Sequence, residues 1–301
     1  MRRFFPWRAA AMLAGLLLTA CPRQTLRASQ GDLREVEIPF TLTASNNIVV
    51  SAVLNKKDTM HLMLHTAASD VTLTEAAVRK SRSIKFSGKN SVRSWGGNSA
   101  SRFSKGNRVQ MGPLQRNNIN IWEDKLSGKD TDGKFGLDLF QKRIVEIDFD
   151  HRRIILHKNL PRKVETYEHL KIENQHDLLL VEGSCLMDGK TYTHKFLLHS
   201  GYFGGILLDD AFAAQAGIDG KIKITDESSL KDSFGHVIKV KKGFLQEFAL
   251  GTSKISNVPV GFFAGGVGAQ KMSVVGCEVL VQFNIILDIA HNDLYITPRH
   301  I

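Results

Sequence analysis

Short apolar runs separated by turn residues dominate the chain, and they come in two related sets. Residues 40–54 alternate loosely between apolar and polar. A Lys56-Lys57-Asp58 turn follows, and Met60-His61-Leu62-Met63-Leu64 then runs into His65-Thr66-Ala67-Ala68-Ser69. Residues 178–187, an Asp188-Gly189-Lys190 turn and His194-Lys195-Phe196-Leu197-Leu198 lead in the same way into His199-Ser200-Gly201-Tyr202-Phe203. Runs of this length, closed by Asn, Asp or Gly, predict strands and tight hairpins. Each elbow is followed by a further strand and a helical stretch, residues 74–78 in the first set and 209–214 in the second.

The end of each set repeats more strictly. Gly136-Leu137-Asp138-Leu139-Phe140, with the strand pair that follows to residue 156, aligns without a gap on Gly276-Cys277-Glu278-Val279-Leu280 and the pair to residue 296. The offset is a constant 140, so Asp148 falls on Asp288 and His151 on His291. His65 and His199 are 134 apart, so the second set carries six more residues between elbow and glycine. Self-similarity at one period marks a duplicated unit. It predicts an all-β fold, mostly β with short helices, in two lobes related by a pseudo-twofold axis. The lobes span residues 35–160 and 161–301, divided where Pro161 ends a strand. A chain of 301 residues can hold two such lobes with a core each.

Residues before 35 follow another pattern. Arg2, Arg3 and Arg8 precede an apolar run over residues 9–20, which is shorter than the ~20 residues of a membrane-spanning helix, so residues 1–20 read as a signal peptide. Leu18-Thr19-Ala20-Cys21 resembles the lipobox of bacterial lipoproteins. That resemblance implies a lipid on Cys21, a tether over residues 21–34 and a membrane-anchored place in the bacterial cell envelope. Pro22, where an aspartate would signal inner-membrane retention, implies the outer membrane, facing the periplasm. Removal of the leader leaves 37 basic against 30 acidic residues, a charge of +7. These are scattered as solvated faces scatter them, and no nucleic-acid partner is expected. In an oxidising compartment Cys185 and Cys277 are either a disulfide or two buried thiols.

The paired elbows and the later apolar-Gly motifs, Phe135-Gly136 and Val274-Val275-Gly276, resemble the aspartic peptidase superfamily, in particular the bacterial aspartyl protease family. The resemblance covers roughly residues 35–298 and implies two pepsin/retropepsin-like closed-barrel lobes. It breaks at the reaction centre. Where that family has Asp-Thr-Gly and Asp-Ser-Gly, this chain has His65-Thr66-Ala67 and His199-Ser200-Gly201. Two close carboxylates share one proton and so act as base and acid together. Two imidazoles titrate near pH ~6.5 and repel on protonation, so acid peptidase activity of the usual kind is not expected.

Other residues offer alternatives. In the family fold Asp70, Asp209 and Asp210 have left the cleft floor, so they do not replace the dyad. In active relatives Thr66 and Ser200 brace the opposite loop. As nucleophiles they face away from the adjacent histidines, because neighbouring strand residues point to opposite faces. Zinc or another transition metal could use His65 and His199 with His61 or His236, since a catalytic zinc takes three protein ligands, although no His-Glu-x-x-His or Cys-x-x-Cys is present. Trp95-Gly96-Gly97 resembles a substrate-covering flap and reads equally as an exposed hairpin tip; Phe234-Gly235-His236 is a second turn that could fold over a ligand. The glycines at 265, 266 and 268 read as a flexible connection. The function expected is binding of an extended peptide or protein segment without cleavage. The alternatives are a metal-dependent hydrolase on His65 and His199, a residual aspartyl protease-type peptidase, and a structural envelope scaffold.

Overall fold

The first half opens with β1 (Val36–Pro39), β2 (Thr41–Leu42), β3 (Ile48–Leu54) and β4 (Asp58–Leu64), and continues through β5 (Val71–Thr74) and helix α1 (Glu75–Lys80). A long hairpin, β6 (Gly88–Ser94) and β7 (Gly97–Met111), is followed by β8 (Leu114–Asp124), β9 (Gly133–Phe135), β10 (Ile144–Asp148) and β11 (Arg153–His157). This computed structural model describes residues 35–94, 97–128, 130–231, 235, 237–263 and 271–299. The leader and tether with Cys21, Trp95 and Gly96, Phe234 and His236, and the glycines at 265, 266 and 268 lie outside the described residues.

After Pro161 and a 3₁₀ turn over Arg162–Thr166, the second half runs through β12 (Glu168–Gln175), β13 (Leu178–Met187), β14 (Lys190–Leu198), β15 (Ile206–Leu208) and α2 (Asp210–Ala216). It ends with β16 (Asp226–Lys231), β17 (Val237–Leu250), β18 (Ser253–Phe263), β19 (Ser273–Val275), α3 (Cys277–Leu280), β20 (Phe283–Asp288) and β21 (Asp293–Pro298). Local chemistry sets the boundaries. Asp188 and Gly189 both take positive φ in the two-residue turn from β13 to β14, where an Asp-Gly pair suits a hairpin. Thr74 caps α1 by accepting from the Ala77 amide at 3.0 Å, and Asp209 caps α2 by accepting from the Phe212 amide at 2.9 Å.

The two halves share one topology. β3 to β9 are ordered 3-4-9-5-8-7-6 with an extra β3–β7 pairing that closes a barrel. β13 to β19 are ordered 13-14-19-15-18-17-16, closed by β13–β17. In each barrel the strand before the elbow lies parallel to the strand before the glycine: β4 on β9, β14 on β19. The β6–β7 hairpin therefore corresponds to the β16–β17 hairpin.

A six-stranded antiparallel sheet, β1-β11-β10-β20-β21-β12, joins the halves. At its centre Glu146 pairs with Ile286, its own counterpart at the 140-residue offset, so the pseudo-twofold axis passes through that pair. The strands are apolar because both faces are covered: Val145, Ile147, Ile285, Ile286 and Leu287 are all buried. This sheet also changes one expectation. Instead of a separate core per lobe, one apolar cluster runs from Ile38 to Ile296, and a smaller one gathers around Tyr202, Leu207 and Val274. Glu146 is 1% exposed and stays charged between His157 Nε2 at 2.7 Å and Lys163 Nζ at 2.8 Å, with Glu35 on the other imidazole nitrogen at 2.8 Å. Despite burial, these partners hold the Glu146 carboxyl below its usual range and raise the His157 imidazole.

The turn glycines are as constrained as the core. A Cβ on Gly136 would lie 2.1 Å from the Ala68 carbonyl oxygen, and one on Gly276 would lie 2.3 Å from that of Gly204; Gly220 faces open space. Gly136→Ala and Gly276→Ala are each expected to lower unfolding free energy by about 3 kcal/mol or more, against within about 0.5 kcal/mol for Gly220→Ala, in urea titrations. Similar midpoints for all three would contradict this packing.

Candidate functional site

Each histidine stands at the head of a turn anchored to the neighbouring strand. The His65 amide donates to the Phe135 carbonyl at 2.9 Å and the His199 amide to the Val275 carbonyl at 2.9 Å. The turns close in parallel fashion, Ala68 N–H to His65 O at 3.1 Å and Tyr202 N–H to His199 O at 3.0 Å. The two imidazoles meet with ring centroids 4.5 Å apart and planes at 55°. Gly201 makes room for this contact, since a Cβ there would sit 2.3 Å from Cδ2 and 2.5 Å from Nε2 of His65. The Ala67 amide donates to His65 Nδ1 at 3.3 Å, which leaves Nε2 as the protonated nitrogen of that ring.

Beneath the rings the elbows exchange hydrogen bonds. Thr66 N–H donates to Ser200 Oγ and Ser200 N–H to Thr66 Oγ1, both at 3.0 Å. The hydroxyls in turn donate to the strand ends of the opposite half, Thr66 Oγ1 to Leu198 O at 2.5 Å and Ser200 Oγ to Leu64 O at 2.7 Å. Both hydroxyl protons are thus committed to backbone, which suits bracing and leaves neither as a nucleophile. Asn47 Nδ2 and the Cys277 thiol add donors to the Ser200 carbonyl at 3.1 and 2.9 Å. Cys277 and Cys185 are both buried free thiols, and burial pushes each to about 12, so no disulfide joins them.

Burial controls the charge of the site. It holds His65 well below the usual imidazole range, helped by the charge of His199 and of Lys134, and it pushes His199 down to about 4. At neutral pH the pair is uncharged. Lys134 was not singled out from the sequence. It precedes Phe135-Gly136, where the aligned second copy has the buried Val274, and a charge opposite an apolar residue in a gapless repeat was the available signal.

The other candidates separate. Asp70 accepts from Trp122 Nε1 at 3.0 Å. Asp209 caps α2 and accepts from Ser273 Oγ at 2.7 Å, and Asp210 opens that helix. Asp148 and Asp288 hold the hairpin histidines, with Nδ1 of His151 at 2.8 Å and of His291 at 2.7 Å. His61 corrects the metal reading. Four residues along a strand amount to ~13 Å, so sharing a face with His65 does not bring it near. Its exposed ring lies 3.6 Å from Asp132 Oδ2 instead. Among the described residues no three His, Cys, Asp or Glu side chains gather as a metal site. Gly97 pairs with Ser94 at the β6–β7 tip, and Gly235 takes a φ of +92°.

No family model matches the sequence, and no curated protein matches it. Among solved structures the chain is similar to the crystal structure of an aspartic proteinase from Irpex lacteus, at TM-score 0.60 and 14% identity, over 89% of this chain and 98% of that one. The fold is pepsin-like. At that identity the likeness speaks for fold alone.

Two expectations follow. The unfolded chain takes up protons below pH ~6.5 that the folded pair refuses, so stability present above that pH is lost as pH falls towards 4, where His199 itself titrates. The His199 part amounts to about 3 kcal/mol, from 6.5 to about 4. His199→Asn should flatten the pH dependence of the urea midpoint over this window, and a curve parallel to wild type would contradict a buried, uncharged imidazole. Thr66→Ala and Ser200→Ala should each cost about 1–3 kcal/mol, and the double variant less than their sum, because each removes part of the same network. Strict additivity in denaturant titrations would argue against the crossed bonds.

Proposed function

We propose that this protein binds an extended peptide or protein segment in the cleft between its lobes and does not cleave it, as a lipoprotein held in the bacterial envelope through Cys21. The observation that carries the reading is the facing pair of uncharged imidazoles, 4.5 Å apart, on braced elbows in a pepsin-like fold. A pepsin-type reaction needs one group to take a proton from water while its neighbour gives one to the carbonyl. Imidazoles that both lack the extra proton at neutral pH, and that repel when both hold it, do not supply that combination.

The scaffold features that would hold a chain are retained. β6 and β16 stand at the ends of their sheet orders, so each offers a strand edge for backbone pairing.

Incubation of the purified protein with denatured protein substrates from about pH 3 to 8 is expected to give no pepstatin-sensitive fragments. In the same samples fluorescent unfolded segments should bind, seen as a rise in anisotropy. Fragments that disappear with pepstatin would overturn the reading.

A further inference from the structure

One stretch departs from the even scatter of charge. Residues 76–122 hold ten lysines and arginines, from Arg79 to Arg116, and no aspartate or glutamate. Part of this stretch borders a cleft of about 470 Å³, lined at the start of β4 and the end of α1 by Lys57, Asp58, His61, Lys80, Arg82 and Asp132. The two acids of the cleft are engaged. Asp58 is buried and accepts from Ser81 Oγ at 2.7 Å, from the Arg82 amide at 3.0 Å, and from Ser83 through its amide at 2.9 Å and its Oγ at 2.5 Å. It thereby ties the loop after α1 to β4 and sets where Arg82 leaves the chain. Asp132 Oδ2 accepts from the His61 amide at 2.8 Å and lies 3.6 Å from the His61 ring.

The cations of the cleft are not engaged. Among the described residues the side chains of Lys57, Lys80 and Arg82 have no ion-pair or hydrogen-bond partner, and all three residues are exposed. Three cations less two carboxylates leave the cleft a net charge of +1 with His61 uncharged. A basic last turn suits the helix dipole, and Arg79 and Lys80 close α1 in that way. Lys57 and Arg82 lie outside the helix, however, and line the same cleft. The second half lacks such a feature at α2, whose last turn holds no basic residue.

We propose that this cleft binds a phosphate group, the monoester of a small solute or of a lipid headgroup, on Lys57, Lys80 and Arg82, with His61 at its edge. A phosphate monoester at neutral pH carries about −1.5 to −2 charges and three acceptor oxygens. A guanidinium takes two of those oxygens as a fork, and each ammonium acts as a point charge. A carboxylate offers the same three donors one charge and two oxygens. The surrounding basic stretch draws anions in but would hold them anywhere along it; the cleft gives them one place.

The test titrates the purified protein with glycerol 3-phosphate, against glycerol, at fixed ionic strength, and follows the His61 ring by NMR. The ester should shift the ring saturably and glycerol should not. Lys80→Gln and Arg82→Gln should each weaken the ester about five-fold or more. Lys85→Gln removes a charge from the same stretch outside the lining of the cleft and should change affinity by less than about two-fold. These side chains are exposed, so all three variants should keep the wild-type urea midpoint. Equal losses in the three variants would reduce binding to the general field and overturn the site, as would the lack of a saturable response in the wild type. Phosphatidic acid vesicles, which carry the same monoester, separate the sources. Vesicle binding that glycerol 3-phosphate displaces and Arg82→Gln weakens assigns the headgroup, and binding of the soluble ester alone assigns a solute.

Discussion

The crossed hydroxyls of Thr66 and Ser200 fix the geometry of everything above them. A strand that stops at an elbow leaves its last carbonyl without a ladder partner, and a buried orphan of that kind is costly. Here each half supplies the missing donor to the other, Thr66 to Leu198 and Ser200 to Leu64. Neither barrel closes its elbow alone, so the halves must meet at this point and in one register. The pairing of Glu146 with Ile286 gives a second point on the same pseudo-twofold axis. With two points fixed, the residues preceding Thr66 and Ser200 have to face one another.

Once the scaffold forces two side chains together, their chemistry decides the rest. Burial disfavours charge whatever the group, but with opposite consequences for protons. It keeps a proton on a carboxyl pair, which is what an acid dyad needs, and strips protons from an imidazole pair. The site therefore moves from one shared proton and a negative charge to no extra proton and no charge. The charge of Lys134 adds to the depression of both imidazoles, after burial.

The features legible in the sequence were those that repeat. The gapless 140-residue offset located both glycine motifs, both terminal hairpins and the symmetry, because a pair of buried strands joined by a tight turn tolerates little change in length. The elbows were readable from apolar runs ending in His-Thr-Ala and His-Ser-Gly. What escaped was relational. The distance of His61 from His65 depends on strand rise rather than on sequence spacing, and Asn47 reaches the Ser200 carbonyl from the other half of the chain. The shared core was hidden because it comes from a sheet built by strands of both halves. The correspondence of the β6–β7 and β16–β17 hairpins emerges only from strand order.

The departures from symmetry carry as much meaning as the symmetry. Ala67 and Gly201 occupy equivalent positions, yet only the glycine lets the edge of the His65 ring lie against the chain, and only in the first half does a lysine replace the apolar residue before the glycine motif. His65 packs on Gly201 with its Nδ1 held by the Ala67 amide, while Val274, at the position of Lys134, is buried in the smaller apolar cluster. The duplicated scaffold departs from symmetry at single residues while the bracing hydrogen bonds, which need both halves alike, stay as they are.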